Sequence, residues 1–249
     1  MDIVYTIWLR NVKRYLRSKS RMVGSLGMPM FLLLVLGFGL NSVVAIPGME
    51  QGYIGFIMPG IISMSVLFTS VFAGIQIIWD KQFGFLKETL VAPVSRLEIM
   101  LGQTFGGATT AVIQGFIILV LSLFMGLDIS SISGFGIAVI FMLLIGISFT
   151  AFGIAIASRM EDMHGFQLIM NFVIFPIFGL SGALFPIDSL PGWARYLTLL
   201  DPLTYGVEGI RYGLLGSSQI DPGISFVVLS GFTILMVILG SYLFRKISV

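Results

Sequence analysis

The stretch SGFGIAVIFMLLIGISFTAFGIAIA, Ser133 to Ala157, is 25 residues long and contains no Asp, Glu, Lys or Arg. A helix of this length is about 38 Å long, which is enough to cross a hydrocarbon core of roughly 30 Å. Because backbone polar groups in lipid must be bonded within the segment, the run is expected to be a helix. Five further runs share this character, at 22–43, 53–79, 99–127, 165–185 and 224–244.

The composition is typical of an integral membrane protein. Hydrophobic residues make up 57% of the 249 residues and charged residues only 10%, whereas soluble domains carry roughly 25% charged residues. There is no Cys and a single His, His164, so disulfides and metal sites built from Cys or several His are excluded. We predict one domain, 1–249, of the all-α membrane class with six transmembrane helices. The second run is long enough to need a tilt or a kink, for which Pro59 is a candidate.

Basic residues predict the orientation of the spans. Twelve of the fourteen Lys and Arg residues fall on one side of the six runs, and only Arg195 and Arg211 on the other, while the acidic residues divide evenly. Under the positive-inside rule this places both termini in the cytoplasm and the chain in the cell membrane.

The segment 1–21 resembles a helix that lies on the membrane surface. Apolar residues recur at helical spacing, and basic residues occupy much of the rest: Val4, Ile7, Trp8, Val12, Tyr15 and Leu16 against Arg10, Lys13, Arg14 and Arg17. Such a helix suits the interface of an anionic leaflet, so membrane lipid is an expected partner. A simple topology anchor is the alternative, and the two are compatible.

The spans contain no ionisable group, which bears on the source of energy. Transporters driven by ion gradients carry such groups within the membrane. The chain also lacks the Gly-Lys pair of a phosphate-binding loop. We expect no catalytic, cofactor or metal site here and no nucleic-acid partner, so any ATP and Mg²⁺ would be bound by a separate chain. The polar residues of the spans, such as Gln76, Gln103 and Gln114, are expected to form hydrogen bonds between helices, and lining of a transport pathway is the alternative.

The loop 80–98 between the second and third runs contains a candidate docking helix. Pro93 would end any helix that begins near Gly84, which leaves a rod of about two turns. Phe85, Leu86 and Leu90 give this rod an apolar face that Lys87 and Glu88 flank. Such a rod suits a groove on a partner protein, and a solvated loop is the alternative.

Two stretches resemble the ABC-2 type permeases, the family of the daunorubicin-resistance and nodulation-factor exporters. The first is DKQFGFLKETLVAPVSR, Asp80 to Arg96, and the second is SGALFPIDSLPGWARYLTLLDPLTYGVEGIR, Ser181 to Arg211. In the first, the matching residues are Phe83, Gly84, Leu86, Lys87, Glu88, Leu90, Pro93, Ser95 and Arg96. In the second, members of the family often carry Asn where this chain has Asp201.

The resemblance implies an architecture and a set of partners. Two permease subunits, here expected to be a homodimer, would pair with two ABC ATPase subunits and move an amphipathic substrate (a drug, lipid or lipid-linked saccharide) out of the cytoplasm. The segment 1–21 and the loop 80–98, with Phe85 included, would contact the ATPase. The segment 186–223 would form re-entrant short helices that cap the pathway. The residues expected in that outer region are Ser181, Gly182, Phe185, Pro186, Pro191, Asp201, Pro202, Tyr205, Glu208 and Arg211.

Local patterns support part of this outer region without the resemblance. Asp201 can cap a helix that has Pro202 at its first position, and Glu208 and Arg211 are close enough on that helix to pair. An interfacial loop with no transport role is the alternative for the segment. For the whole chain, the alternative is a passive channel, a scramblase or a regulatory subunit without ATP coupling, and the scarcity of ionisable groups in the spans argues against an enzyme.

Overall fold

The computed structural model describes residues 3–41, 52–84 and 94–247, and within these ranges it contains helices and turns but no strand. The α-helices, in chain order, are α1 Ile3–Arg17, α2 Lys19–Gly24, α3 Gly27–Leu32, α4 Gly39–Asn41, α5 Gly52–Ala73, α6 Ile75–Gln82, α7 Arg96–Phe124, α8 Ile132–Ala157, α9 Met163–Ile169, α10 Phe175–Leu180, α11 Gly192–Leu200, α12 Pro202–Leu215 and α13 Pro222–Arg245. A 3-10 turn, Ile187–Ser189, precedes α11.

Six helical stretches in the described residues are long and apolar enough to cross a membrane, which confirms the predicted all-α, six-span class. They are Lys19–Asn41, Gly52–Gln82, Arg96–Phe124, Ile132–Ala157, Met163–Leu180 and Pro222–Arg245. The first and fifth spans each include a π-helical segment, Leu33–Phe38 and Met170–Ile174. The second, third and fourth spans form the core: 67% of the most apolar stretch of the second is buried, against 17% in the first.

The helix bounds follow from local capping chemistry. The third span begins at Arg96, three residues before the predicted run, because Ser95 and Glu98 form a capping box. The Ser95 hydroxyl accepts from the Glu98 N–H, and the Glu98 carboxylate accepts from the Ser95 N–H. The sixth span begins after Asp221, which accepts from two backbone N–H groups of the first turn.

Close backbone contacts hold the core spans together. A Cβ added at Gly74 would lie 2.4 Å from the backbone carbon of Gly153 in the fourth span. The second span is interrupted at Gly74, between α5 and α6. At Pro59, the predicted kink position, helix α5 is continuous. Since only glycine leaves room for this approach, the second and fourth spans touch backbone to backbone.

Both described ends of the chain lie on one side of the bundle, next to the start of the third span. Near the N-terminal end, the Val4 carbonyl oxygen would lie 3.1 Å from a Cβ added at Gly102. The Arg96 guanidinium, at the start of the third span, donates to the carbonyl oxygens of Arg245 and Ile247 at 2.5 and 3.1 Å. We call this the terminal side and the opposite one the far side. The far-side segment, residues 181–221, contains α11 and α12.

Helix α12 lies among the spans rather than above them. It packs against the second, fourth and sixth spans. Near its start Gly206 contacts Ile145, about halfway along the fourth span, and near its end Gly213 contacts Gly134 at the far-side end of that span. The connection between α11 and α12, at Asp201, is therefore inserted to roughly half the depth of the fourth span.

Candidate functional site

On the terminal side, α1 packs lengthwise along the third span. The Trp8 indole N–H donates to the Thr109 hydroxyl at 2.9 Å, and the Asn11 amide donates to the Gln103 carbonyl at 2.7 Å. Gly102 and Gly106 make this approach possible, because a Cβ at either position would meet α1 within 2.8 Å. The two glycines therefore allow α1 to pack closely against the third span. Contact of α1 with a membrane surface stays a prediction.

The inner face of α1 is more polar than the sequence pattern indicates. Asn11 and Tyr15 are both buried, and the Tyr15 hydroxyl donates to the Gln114 side chain of the third span. Burial raises the pKa of Tyr15 to about 12, so the phenol remains a donor at neutral pH. Lys13 and Arg17 point away from this contact and are exposed.

An ion pair fastens α1 to the end of the second span. Arg10 donates to the Asp80 carboxylate at 3.1 Å, and the Gln76 amide donates to its other oxygen at 2.6 Å. Asp80 is only 7% exposed, so this contact is better shielded from salt than a surface pair. Displacement of the end of the second span must therefore move α1, or else break a shielded contact.

The second span is also tied to the turn between the fourth and fifth spans. Lys81 donates to the Met160 carbonyl at 3.2 Å, and Gln82 donates to the Glu161 carbonyl at 3.1 Å. After Gln82 the helix ends in an exposed Phe83, followed by Gly84 with a φ of +76°. The predicted docking residues Phe85, Leu86, Lys87, Glu88, Leu90 and Pro93 lie outside the described residues.

On the far side, Asp201 caps α12 as predicted. Its Oδ1 accepts from the Leu203 N–H at 2.9 Å, and Pro202 occupies the first helical position. Its Oδ2 is buried without a hydrogen-bond partner among the described residues. Burial raises the pKa of Asp201 to about 7, and the Leu203 hydrogen bond only partly opposes this.

The predicted Glu208–Arg211 ion pair forms, and both side chains are fully buried. Arg211 also donates to the Gly182 carbonyl at 3.0 Å, and its guanidinium lies 4.0 Å from the centre of the Phe56 ring in the second span. Glu208 accepts a second bond from the backbone N–H of Gln219. The pair thus joins α12 to two loops of the far-side segment and to the second span.

Gln219 extends this network toward the surface. Its side-chain carbonyl accepts from the Ile187 N–H at 2.7 Å. Next to Ile187, Asp188 pairs with Arg195 at 3.2 Å in an exposed contact. The loop that precedes the sixth span therefore fixes the 3-10 turn in front of α11.

The remaining predicted far-side residues shape the turns of the segment. Gly182 adopts a φ of +70°, which favours glycine. The buried Ser181 hydroxyl donates to the Phe178 carbonyl at 2.7 Å, and the Tyr205 hydroxyl donates to the Leu199 carbonyl at 2.8 Å. The Pro186 carbonyl accepts from Ser189, Pro191 precedes the first turn of α11, and Phe185 is exposed.

Sequence reasoning missed three participants. Asp80 and Phe56 are remote in sequence from Arg10 and Arg211, the arginines that they contact. Gln219 takes part through its backbone N–H and its side-chain carbonyl, which bind Glu208 and Ile187 respectively. The unusual feature that could have pointed to Asp80 is an acidic residue at the very end of an apolar run.

A sequence model of the ABC-2 type transporter family matches residues 3–215, which include α1, the first five spans and both α11 and α12. The chain belongs to the ABC-2 type transporter family. This ABC-2 chain is 30% identical to the putative transport permease ycf38 of Cyanophora paradoxa over 216 residues, covering 81% of this chain and 73% of the relative.

Two bacterial proteins match this ABC-2 chain over most of their length. The inner membrane transport permease YadH of Escherichia coli (strain K12) is 27% identical over 236 residues, covering 92% of this chain and 89% of the relative. Nodulation protein J of Rhizobium meliloti (strain 1021) is 26% identical over 244 residues, covering 96% and 92%. Together with the six apolar helices, the family establishes a multi-pass membrane transport permease.

Proposed function

We propose that this permease is the membrane subunit of an ATP-driven exporter, with both termini in the cytoplasm and ATP hydrolysis in separate ABC ATPase subunits. The observation that carries the proposal is the set of contacts on the terminal side. Arg10 with Asp80, and Lys81 with the Met160 carbonyl, join α1, the second span and the fourth-to-fifth turn where the predicted docking loop leaves the bundle. A displacement of that loop by a bound ATPase would therefore be transmitted to all three elements.

The same proposal includes a homodimer. The first and fifth spans are the least buried, at 17% and 22% of their most apolar stretches. Both carry large exposed apolar side chains, which include Phe31, Phe38, Leu168 and Phe172. A second copy seated against these two spans would cover this surface and enclose a pathway between the subunits.

Helices α11 and α12 would then close the pathway at its outer end. Their connection at Asp201 is inserted to about half the depth of the fourth span, which supports the proposal that they are re-entrant helices. Irregular backbone is tolerated at that depth only where protein or a water-filled cavity covers it. At this connection the Thr204 hydroxyl donates to the Thr198 carbonyl at 2.7 Å, and the Tyr205 hydroxyl donates to the Leu199 carbonyl at 2.8 Å, so these backbone groups are satisfied.

Co-purification and ATP hydrolysis test the proposal. The permease would be expressed with its ATPase in the native host, purified, and compared with Leu86→Asp and Glu88→Ala in liposomes. We expect the loop changes to dissociate the complex or to abolish substrate-stimulated hydrolysis. Ile132→Asp is the control, because Ile132 is an exposed apolar residue at the far-side end of the fourth span, and it should leave complex formation intact.

The opposite result is equally definite. If no ATPase co-purifies, and liposomes with the permease alone pass an amphipathic substrate without ATP, the chain is a passive channel or scramblase and the exporter proposal is wrong.

A further inference from the structure

A cavity of about 120 Å³ opens between α1, the start of the first span, and the second and third spans. Asn11, Arg14 and Arg21 lie in its walls, together with other hydroxyl and amide groups and with apolar side chains. The site lies on the terminal side, next to the Arg10–Asp80 pair.

The charge of this cavity is not balanced by the described residues. Neither Arg14 nor Arg21 forms an ion pair within the part of the chain that the structure describes, and Asp80 already pairs with Arg10. Burial, and then the neighbouring Arg10, lower the pKa of Arg14, and Asp80 only partly opposes this. A bound anion would oppose the lowering further, because an opposite charge nearby favours the charged form of arginine.

An unsatisfied acceptor lies in the same wall. Asn11 is 8% exposed, and its Oδ1 has no hydrogen-bond partner among the described residues. An anion alone cannot satisfy an acceptor, whereas a hydroxyl next to the anion can. The lining therefore fits a phosphate that carries a neighbouring hydroxyl, as in a glycerol or sugar phosphate.

A second cavity, of about 260 Å³, adjoins the first between the first, second and fifth spans. The two cavities share Ser25, Thr69 and Phe72 in their walls. The second is lined mainly by apolar side chains, such as Met64, Phe68, Met170 and Phe175. The combined space is polar and basic at one end and apolar at the other.

We propose that this pair of cavities binds a single anionic amphiphile, with a hydroxyl-bearing phosphate head group at Arg14, Arg21 and Asn11 and its hydrocarbon tail between the first, second and fifth spans. The chemistry is shared by a phosphatidylglycerol-like membrane lipid and by a lipid-linked saccharide. Binding does not depend on the ATPase, and only the question of whether the amphiphile is cargo rests on the proposed function.

Native mass spectrometry of the full-length permease tests binding directly. Purified protein in an uncharged detergent would be titrated with phosphatidylglycerol, phosphatidylcholine and glycerol 3-phosphate. We expect phosphatidylglycerol to bind well above both, because phosphatidylcholine adds a cation that the arginines repel and glycerol 3-phosphate lacks the tail. Arg14→Gln/Arg21→Gln should weaken phosphatidylglycerol binding by about a hundredfold, since each charge-assisted hydrogen bond to the phosphate contributes roughly tenfold to the affinity.

Lys13→Gln/Arg17→Gln is the matched control, because it removes the same charge from exposed residues of α1 that do not line the cavity. We expect it to change the affinity by less than about threefold, since neither side chain lies in the cavity walls where the phosphate would bind. Thr69→Phe, at the shared wall, provides a second variant that leaves α1 unchanged, and it should also weaken binding. Equal weakening by the two charge variants, or equal affinity for the two lipids, would overturn the proposal.

A reconstituted complex with ATPase separates the two sources of the amphiphile. If ATP moves a labelled phosphatidylglycerol to the opposite leaflet, the cavity holds cargo. If the lipid stays in its leaflet and its binding still depends on Arg14 and Arg21, the cavity holds a resident lipid. Both results support the site, and loss of ATP coupling alone would count only against the proposed function.

Discussion

Removal of Arg211 should destabilise the far-side segment strongly. Arg211→Met keeps most of the side-chain length but deletes three interactions: the ion pair with Glu208, the hydrogen bond to the Gly182 carbonyl and the stacking over Phe56. Both members of the pair are 0% exposed, so the carboxylate left behind has no access to water in the folded protein.

The expected destabilisation follows from that burial. Removing one partner of a buried pair costs about 3–5 kcal/mol, because an uncompensated charge remains. For a chain of this size, each kcal/mol corresponds to a shift of about 2–4 °C in the unfolding midpoint, so Arg211→Met should lower the midpoint by about 6–20 °C. Glu208→Gln/Arg211→Met removes both charges, and it should cost only about 1–3 kcal/mol, mainly for the orphaned carbonyl.

Thermal unfolding of purified protein in detergent, followed by tryptophan fluorescence, measures these shifts. Arg195→Met is the control, because Arg195 and its partner Asp188 are 54% and 65% exposed. Such a pair contributes less than about 1 kcal/mol, so its removal should move the midpoint by no more than about 4 °C. The reasoning is wrong if Arg211→Met lowers the midpoint no more than Arg195→Met does. It is also wrong if the midpoint shifts of Glu208→Gln and Arg211→Met, each measured singly, sum to the shift of the double variant.

Two further variants probe the same segment and its support. Asp201→Asn keeps the cap but removes the titration. Since burial raises the folded pKa of Asp201 from 3.8 to about 7, the wild-type free energy of unfolding should fall by up to about 4 kcal/mol as pH rises through that interval. In pH-dependent thermal melts, the midpoint of Asp201→Asn should fall less over this interval than that of the wild type. Gly60→Ala should lower the midpoint because its new Cβ would lie 2.3 Å from the Ala183 carbonyl oxygen. Gly231→Ala, with nothing within 4 Å of its Cβ, should leave the midpoint unchanged or raise it; equal midpoints for the two glycine variants would contradict the contact.

The sequence was most informative where a signal is local. The six spans follow from uninterrupted apolar runs, and the Asp201 cap and the Glu208–Arg211 pair follow from spacings of one to three residues. Helix ends were less well placed, because the Ser95 capping box extends the third span beyond its apolar run. Each of these features depends on groups within one turn of helix.

Contacts between distant segments were beyond sequence reasoning. The buried Asn11 on α1 contradicts an apolar pattern and is explained only by Gln103, 92 residues away. Likewise, nothing near Asp80 indicates that Arg10 will reach it, and the second span is interrupted at Gly74 because Gly153 lies against it. In each case the residue type makes sense only beside a neighbour that the fold supplies.

The π-helical segments give the two least buried spans a property that the core spans lack. Leu33–Phe38 and Met170–Ile174 are the π segments of the described residues, and each accommodates a surplus residue within its turn. If one residue were deleted there, the turn could close as ordinary α-helix, and the residues before and after it would keep their faces. The same deletion in the third span would rotate everything beyond it by about 100°. Met170, the first residue of the second π segment, lines the apolar cavity. The fifth span would therefore tolerate the loss of one residue beside this cavity while every backbone group stays bonded inside the bilayer.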